Sequence, residues 1–226
     1  ILFGAVGDAT CDSVPLQVGQ FESDNRMDAH LQNLILEGGG GGQMTESYEL
    51  ALYVAARHTR IDCHEKRGKK GYLFLIGDEL AYPKVKHGEV KTLMGDGLKR
   101  DIALKDIAAE AHAKYNIYYL IPAGASYTND PKLRKFWVDL LGAQYVIPLE
   151  DANDISETIA LILGTAEGTI GLDDGIADLR ASGASDSTIA AVSKSIAALP
   201  GAKAGGRAVV TGTLGDAGDG GKSKRL

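Results

Sequence analysis

The chain has 226 residues, 44% hydrophobic and 24% charged, which is the make-up of an ordinary folded protein with a sizeable core. Its formal net charge is -6 and no stretch gathers Lys and Arg along one face, which argues against nucleic-acid binding. No apolar run approaches the roughly 20 residues that a bilayer span requires.

That length suits one α/β domain with an appendage. Cys11 and Cys63 are too few for a disulfide framework and lack metal-site spacing. Two free thiols in a reducing, cytoplasmic setting are expected. The chain opens at Ile1 inside an apolar run with neither Met nor a signal peptide, so further residues are expected to precede it.

In chain order, residues 1–7 (ILFGAVG) form a short apolar run closed by Asp8, the pattern of a buried strand. Residues 16–21 (LQVGQF) alternate as a half-exposed strand does. The connection between them carries Asp8, Asp12 and Pro15, all turn formers, and is too short for a crossover helix. The two strands must therefore be antiparallel. Residues 28–36 have helical spacing. The glycines Gly38 to Gly42 that follow suit neither helix nor strand.

Residues 46–58 (ESYELALYVAARH) predict a helix. The KRGKK run at 66–70 predicts a solvated turn. Residues 71–77 (GYLFLIG) are continuously apolar, as a central strand covered on both faces would be. Asp78 and Glu79 end it, and a polar loop is expected to run to about Arg100. A helix follows over 101–115 with Asp101 as its cap, then a strand over 117–123. Next come a helix over 130–141 with Pro131 in its first turn, a strand over 144–148 and a helix over 154–163.

This alternation predicts a doubly wound α/β fold, a mostly parallel sheet with one antiparallel edge strand at 16–21. The strands at 1–7, 71–77 and 117–123 are expected to run parallel. Residues 1–165 would form this domain. Residues 166–199, with two Ala- and Ser-rich helices over 173–199, would be a short helical extension. Residues 200–226, rich in Gly and charge, would be a flexible tail.

Three segments carry a family resemblance: ILFGAVGD…VPLQVGQF, EGGGGGQMTESYELAL and YLFLIGDE. Together they resemble the von Willebrand factor type A (VWA) domain entered at its second strand, over roughly residues 1–163. The resemblance implies a metal-ion-dependent adhesion site holding Mg²⁺ or Mn²⁺ on three loops. In the family these loops carry an Asp-x-Ser-x-Ser motif, a Thr and an Asp. A partner's carboxylate takes an open position on the metal, and a few hard oxygen ligands suffice for such a cation.

On this chain the implied metal ligands are Asp78, at the end of the 71–77 strand, and Thr45 or Glu46 in the loop before the helix. The loop also offers Ser47. No Asp-x-Ser-x-Ser is present; it would lie before Ile1. Asp78 serves equally as a turn residue, whereas for Thr45 a helix cap is by itself a sufficient reading and the favoured one. Asp8 and Asp12 read as turn residues, and Glu79 as facing solvent.

The function implied is that of a non-enzymatic protein-interaction module within a larger complex. Its docking loops would be 38–45, 78–91 and 124–130. A Rossmann-like nucleotide or phosphate-binding enzyme using Gly38 to Gly42 and Asp78 is the alternative, although no Gly-Lys-Ser/Thr follows the glycines. A structural subunit with a decayed metal site is the other. His30, His58, His64, His87 and His112 are scattered, and Ser126 lies outside any Gly-x-Ser-x-Gly elbow.

Overall fold

A computed structural model of the protein describes residues 1–38 and 42–197. The chain opens with β1 (Gly4–Val6) and β2 (Leu16–Val18), an antiparallel hairpin in the register Gly4↔Val18. Helix α1 (Arg26–Gln32) buries no residue and stops short of the expected 28–36 span. The reason lies in Gln17: its side-chain amide donates to the Ile35 carbonyl at 2.9 Å and accepts from the Ile35 N–H at 2.8 Å. Those bonds claim the backbone groups that a longer helix would have needed.

Strand β3 (Thr45–Glu46) precedes α2 (Tyr48–Arg57). The helix therefore starts two residues later than its apolar spacing predicts, because 45 and 46 are drawn into a parallel ladder with a later strand. α3 (Asp62–Arg67) takes in only Lys66 and Arg67 of the KRGKK run, and Gly68, at φ 63°, ends it in a left-handed cap. The apolar run is β4 (Gly71–Ile76). The expected polar loop instead holds β5 (Leu80–Ala81), β6 (Lys84–Val85) and α4 (His87–Met94).

β7 (Ile102–Ala103) pairs antiparallel with β6, so α5 (Leu104–Lys114) begins after it. Asp101 consequently does not cap α5. Its carboxylate accepts from the His87 N–H at 3.0 Å, at the start of α4, and pairs with Lys84 at 2.6 Å. The Lys84 ammonium and the His87 N–H hold that carboxyl well below the usual carboxylate range. Beyond it lie β8 (Tyr115–Ile121), α6 (Pro131–Leu141), β9 (Val146–Pro148), α7 (Ile155–Ala166), α8 (Leu172–Ser182) and α9 (Asp186–Ala197). Asp130 caps α6 as its sequence position predicts, accepting from the Lys132 N–H at 2.8 Å.

The protein is a mixed α/β structure whose main sheet is parallel, in the order β4-β8-β9. Strand β8 alternates between two apolar clusters. Ile117, Tyr119 and Ile121 join Leu50, Ile107 and Trp137 on one face. Tyr118 and Leu120 join Ile147, Leu161 and Val192 on the other. Both faces of β8 are thus dry, which is why its sequence is apolar without alternation. Helices α8 and α9, expected as an appended extension, pack on α7 and β9 and supply part of the second cluster. The flexible tail expected at 200–226 lies outside the described residues.

The expectation that the strands at 1–7, 71–77 and 117–123 run parallel holds for β4 and β8, which share a parallel ladder, whereas β1 lies in a separate sheet. β1 pairs with β2, and among the described residues no ladder joins β1 to β4. Both strands nevertheless run alongside α2 in the same sense, each starting near the end of the helix and ending near its start. Leu2 lines a cavity of about 600 Å³ together with Val54, His58 and Thr59 at the end of α2, while the Gly7 carbonyl accepts from the Ser47 N–H at its start. Gly71 touches Ile61 just beyond the end of α2, while Gly77 lies against Tyr48 at its start. The Gly77 N–H donates to the Leu120 carbonyl at 3.1 Å. In a parallel ladder this turns the main-chain groups of Tyr72, Phe74 and Ile76 toward the side away from β8. Among the described residues no strand pairs with that side of β4.

Candidate functional site

The carboxyl ends of β1, β3 and β4 converge on the start of α2, and each brings acidic side chains with it. Asp8 follows β1 and is 2% exposed. Its Oδ1 accepts from the Thr10 N–H and hydroxyl, both at 2.8 Å. The Tyr82 hydroxyl contacts both its oxygens, and the Gln43 amide donates to Oδ2. Burial pushes the Asp8 carboxyl up, but bonds from Thr10 and Tyr82 outweigh that and hold it below its usual range. Asp8 is therefore a charged buried anchor. Its turn role was legible in the sequence, but its partners at positions 43 and 82 were not.

Thr45 and Glu46 lie in β3, in parallel register with Leu80 and Ala81. Thr45 does not cap the helix; the residue at that position is Ser47, whose buried hydroxyl accepts from the Ala9 N–H at 2.9 Å instead. Glu46 Oε2 is buried and has no hydrogen-bond partner. Burial, and next the charge of Glu79, push its carboxyl up to about 7.

Asp78 and Glu79 follow β4 and do different things. Asp78 Oδ2 accepts from the Tyr127 N–H at 2.7 Å, tying the loop after β8 to the end of β4. Glu79 was expected in solvent but is half-buried, and its Oε2 is a second buried oxygen without a partner. Its carboxyl is raised by burial and next by Asp78. The Tyr119 hydroxyl accepts from its N–H at 3.2 Å and donates to its carbonyl at 2.9 Å, and Trp137 Nε1 donates to the same carbonyl at 2.9 Å. Sequence reasoning missed Asp8 and Glu79 as members of this cluster. One signal was present: each acid comes just after an apolar strand that ends in Gly, as Gly7-Asp8 and Gly77-Asp78-Glu79.

Glu46 and Glu79 face each other closely enough for a side-chain hydrogen bond, so a proton shared between the two carboxyls, or a cation, would satisfy their buried oxygens. Their hard oxygen chemistry fits Mg²⁺ or Mn²⁺, with Glu46 and Glu79 as the donors. Among the described residues no three His, Cys, Asp or Glu side chains are grouped closely enough to hold a metal ion, so these donors amount to part of a shell. Elsewhere, His58 pairs with Asp96 at 2.6 Å at the far end of α2, and His87 with Asp101 at 2.7 Å. Gly39 to Gly41, the centre of the loop expected to reach a phosphate, lie outside the described residues.

Fold and site together define a mixed α/β protein with a cluster of acidic side chains, Asp8, Glu46, Asp78 and Glu79, at the carboxyl ends of its strands, where ligands of open α/β sheets sit. No helix among the described residues is long and apolar enough to cross a membrane. Compared with protein-family models, curated proteins and solved structures, the chain matches none of them.

Proposed function

We propose that this chain is a non-enzymatic, cytoplasmic protein-interaction module of the VWA type, acting within a larger complex. Its acidic cluster takes a divalent cation, Mg²⁺ or Mn²⁺, and through it the carboxylate of a protein partner. The observation that carries this reading is the facing pair of carboxyls, Glu46 and Glu79, whose buried Oε2 atoms meet no donor other than each other, after parallel strands.

Two further features support it. β1 and β4 run alongside α2 in the same sense, and among the described residues no ladder joins them and no strand pairs with the outer side of β4. The segment that follows β4 and the loop at 124–130 are also joined, through Asp78 and Tyr127, into one rim suited to docking.

When bound, the cation supplies an open coordination position for an acidic side chain. The chain's own residues do the rest: Glu46 and Glu79 present oxygen, and Asp8 holds the neighbouring loops together.

Calorimetry of the complete protein with Mg²⁺, Mn²⁺ and ATP tests the reading. It requires cation binding without ATP binding, and loss of cation binding in Glu46→Gln. Binding of ATP would favour the Rossmann-like enzyme, and binding of none would leave a structural subunit.

A further inference from the structure

The end of α2 that points away from the acidic cluster borders the cavity of about 600 Å³. That size lies within the range of small-molecule sites, roughly 300–1,000 Å³. Leu2 and Leu16 of the β1–β2 hairpin, Val54 of α2 and Met94 of α4 give it an apolar wall. Val18, Phe21 and Leu93 line it as well, and these are three of the eight large hydrophobic side chains left exposed among the described residues. Single exposed apolar side chains are ordinary, but a group of them around one concavity marks a binding surface.

The polar lining sets the sign of the ligand. Among the described residues the ionisable side chains at the cavity are His58 and Arg60, both basic, on a chain whose net charge is -6. Each is aimed by an acid that does not itself line the cavity. Asp96 Oδ2 pairs with His58 Nε2 at 2.6 Å and accepts from the hydroxyl of the buried Tyr53, also at 2.6 Å. Those bonds, Tyr53 first, hold the Asp96 carboxyl below its usual range, so it stays charged behind the imidazole. Arg60 donates to Glu65 from Nε at 2.9 Å and from Nη2 at 3.2 Å. That pair stands in solvent, where it contributes little and leaves the guanidinium able to meet a second anion. Among the described residues His58 Nδ1 and Arg60 Nη1 have no partner, and each can donate when its group is charged.

We propose that this cavity binds a small amphipathic carboxylate from solution. Its apolar chain lies between the hairpin and the ends of α2 and α4, and its carboxylate meets Arg60 and His58. The site shares no residue with the acidic cluster, so it stands or falls independently of the cation reading.

Calorimetric titrations of the full chain with octanoate, with 1-octanol and with phosphatidylglycerol vesicles test the proposal. Wild type is expected to bind octanoate at one saturable site and 1-octanol about tenfold more weakly. Arg60→Gln should weaken octanoate about tenfold and leave 1-octanol unchanged, the factor expected for a hydrogen bond to a charged group. Phe21→Ser should weaken both ligands about tenfold. Leu36→Ser removes another exposed side chain, one that does not line the cavity, and should change neither. Arg60, Phe21 and Leu36 are all exposed, so folding is not at risk, and unchanged thermal midpoints check this.

Absence of saturable octanoate binding, or binding to the vesicles alone, would overturn the proposal. Equal affinity for octanoate and 1-octanol, with no effect of Arg60→Gln, would overturn the anionic assignment. Equal losses in Phe21→Ser and Leu36→Ser would place binding on the general surface rather than in the cavity.

Discussion

The Tyr82 hydroxyl sits 2.9 and 3.0 Å from the two carboxylate oxygens of Asp8, bridging the loop after β1 and the connection between β5 and β6 across 74 residues of sequence. Asp8 is nearly inaccessible to water, so the bond is charge-assisted and poorly replaced by solvent. Tyr82→Phe should therefore cost about 1.5–3 kcal/mol, the range for hydrogen bonds to charged groups. Thr10 and Gln43 remain as partners, which favours the lower end of that range. Urea denaturation at neutral pH measures it. A cost near zero would show that Asp8 is held by its own turn alone.

Glu49 makes stability depend on pH. It is fully buried on the first turn of α2, one oxygen accepts from the Tyr82 N–H at 3.3 Å, and the other has no partner. Burial pushes its carboxyl from 4.5 up to about 8. The folded state thus binds a proton that the unfolded state releases. Its favourable contribution is complete below about 4.5 and is lost as pH rises toward about 8. Each such group gives a slope of up to about 1.4 kcal/mol per pH unit in that window. Glu46, raised to about 7, adds to the slope up to that point. Glu49→Gln keeps an acceptor for Tyr82 and should flatten the fall between pH 7 and 8. Denaturation midpoints at four pH values from 5 to 8 decide it; an unchanged profile in the variant refutes the assignment.

Gly77 has no side chain because Tyr48 occupies the space. A Cβ there would stand 1.9 Å from the Tyr48 hydroxyl, and that ring is wedged edge-on against Tyr119 and Trp137. Gly77→Ala should cost about 1–3 kcal/mol by overpacking. Tyr48→Phe removes the clashing oxygen, so the double variant should recover much of the loss, a coupling of about 0.5–3 kcal/mol for residues in contact. Strict additivity in thermal unfolding would disprove the clash.

Asp130 is a test of a local interaction. Its carboxylate caps α6 through the Lys132 N–H, and Pro131 presets the first turn. Asp130→Ala should lose about 0.5–2 kcal/mol and Asp130→Asn much less. Equal losses would place the effect in charge rather than in the cap.

What the sequence determined by itself was whatever depends on neighbours along the chain. The unbroken apolar runs of β4 and β8 disclosed strands covered on both faces, and their alternation with helices gave a parallel α/β sheet. The short Asp8-to-Pro15 connection imposed an antiparallel hairpin, and Asp130-Pro131 marked the start of α6. These follow from side-chain period, chain length and backbone chemistry, all local quantities.

Tertiary structure alone decided the rest. Residues 45 and 46 carry a helix-like pattern, yet parallel pairing with β5 takes their backbone bonds. Asp101 looks like a cap for the helix after it, yet the β6–β7 ladder turns it toward Lys84 and the start of α4. Asp78 and Glu79 are adjacent and alike in sequence. One meets a backbone N–H from position 127, and the other is clasped at its backbone by Tyr119 while its carboxylate faces Glu46. Which acid finds a donor depends on loops 40 or more residues away, and no pattern within a strand encodes that distance.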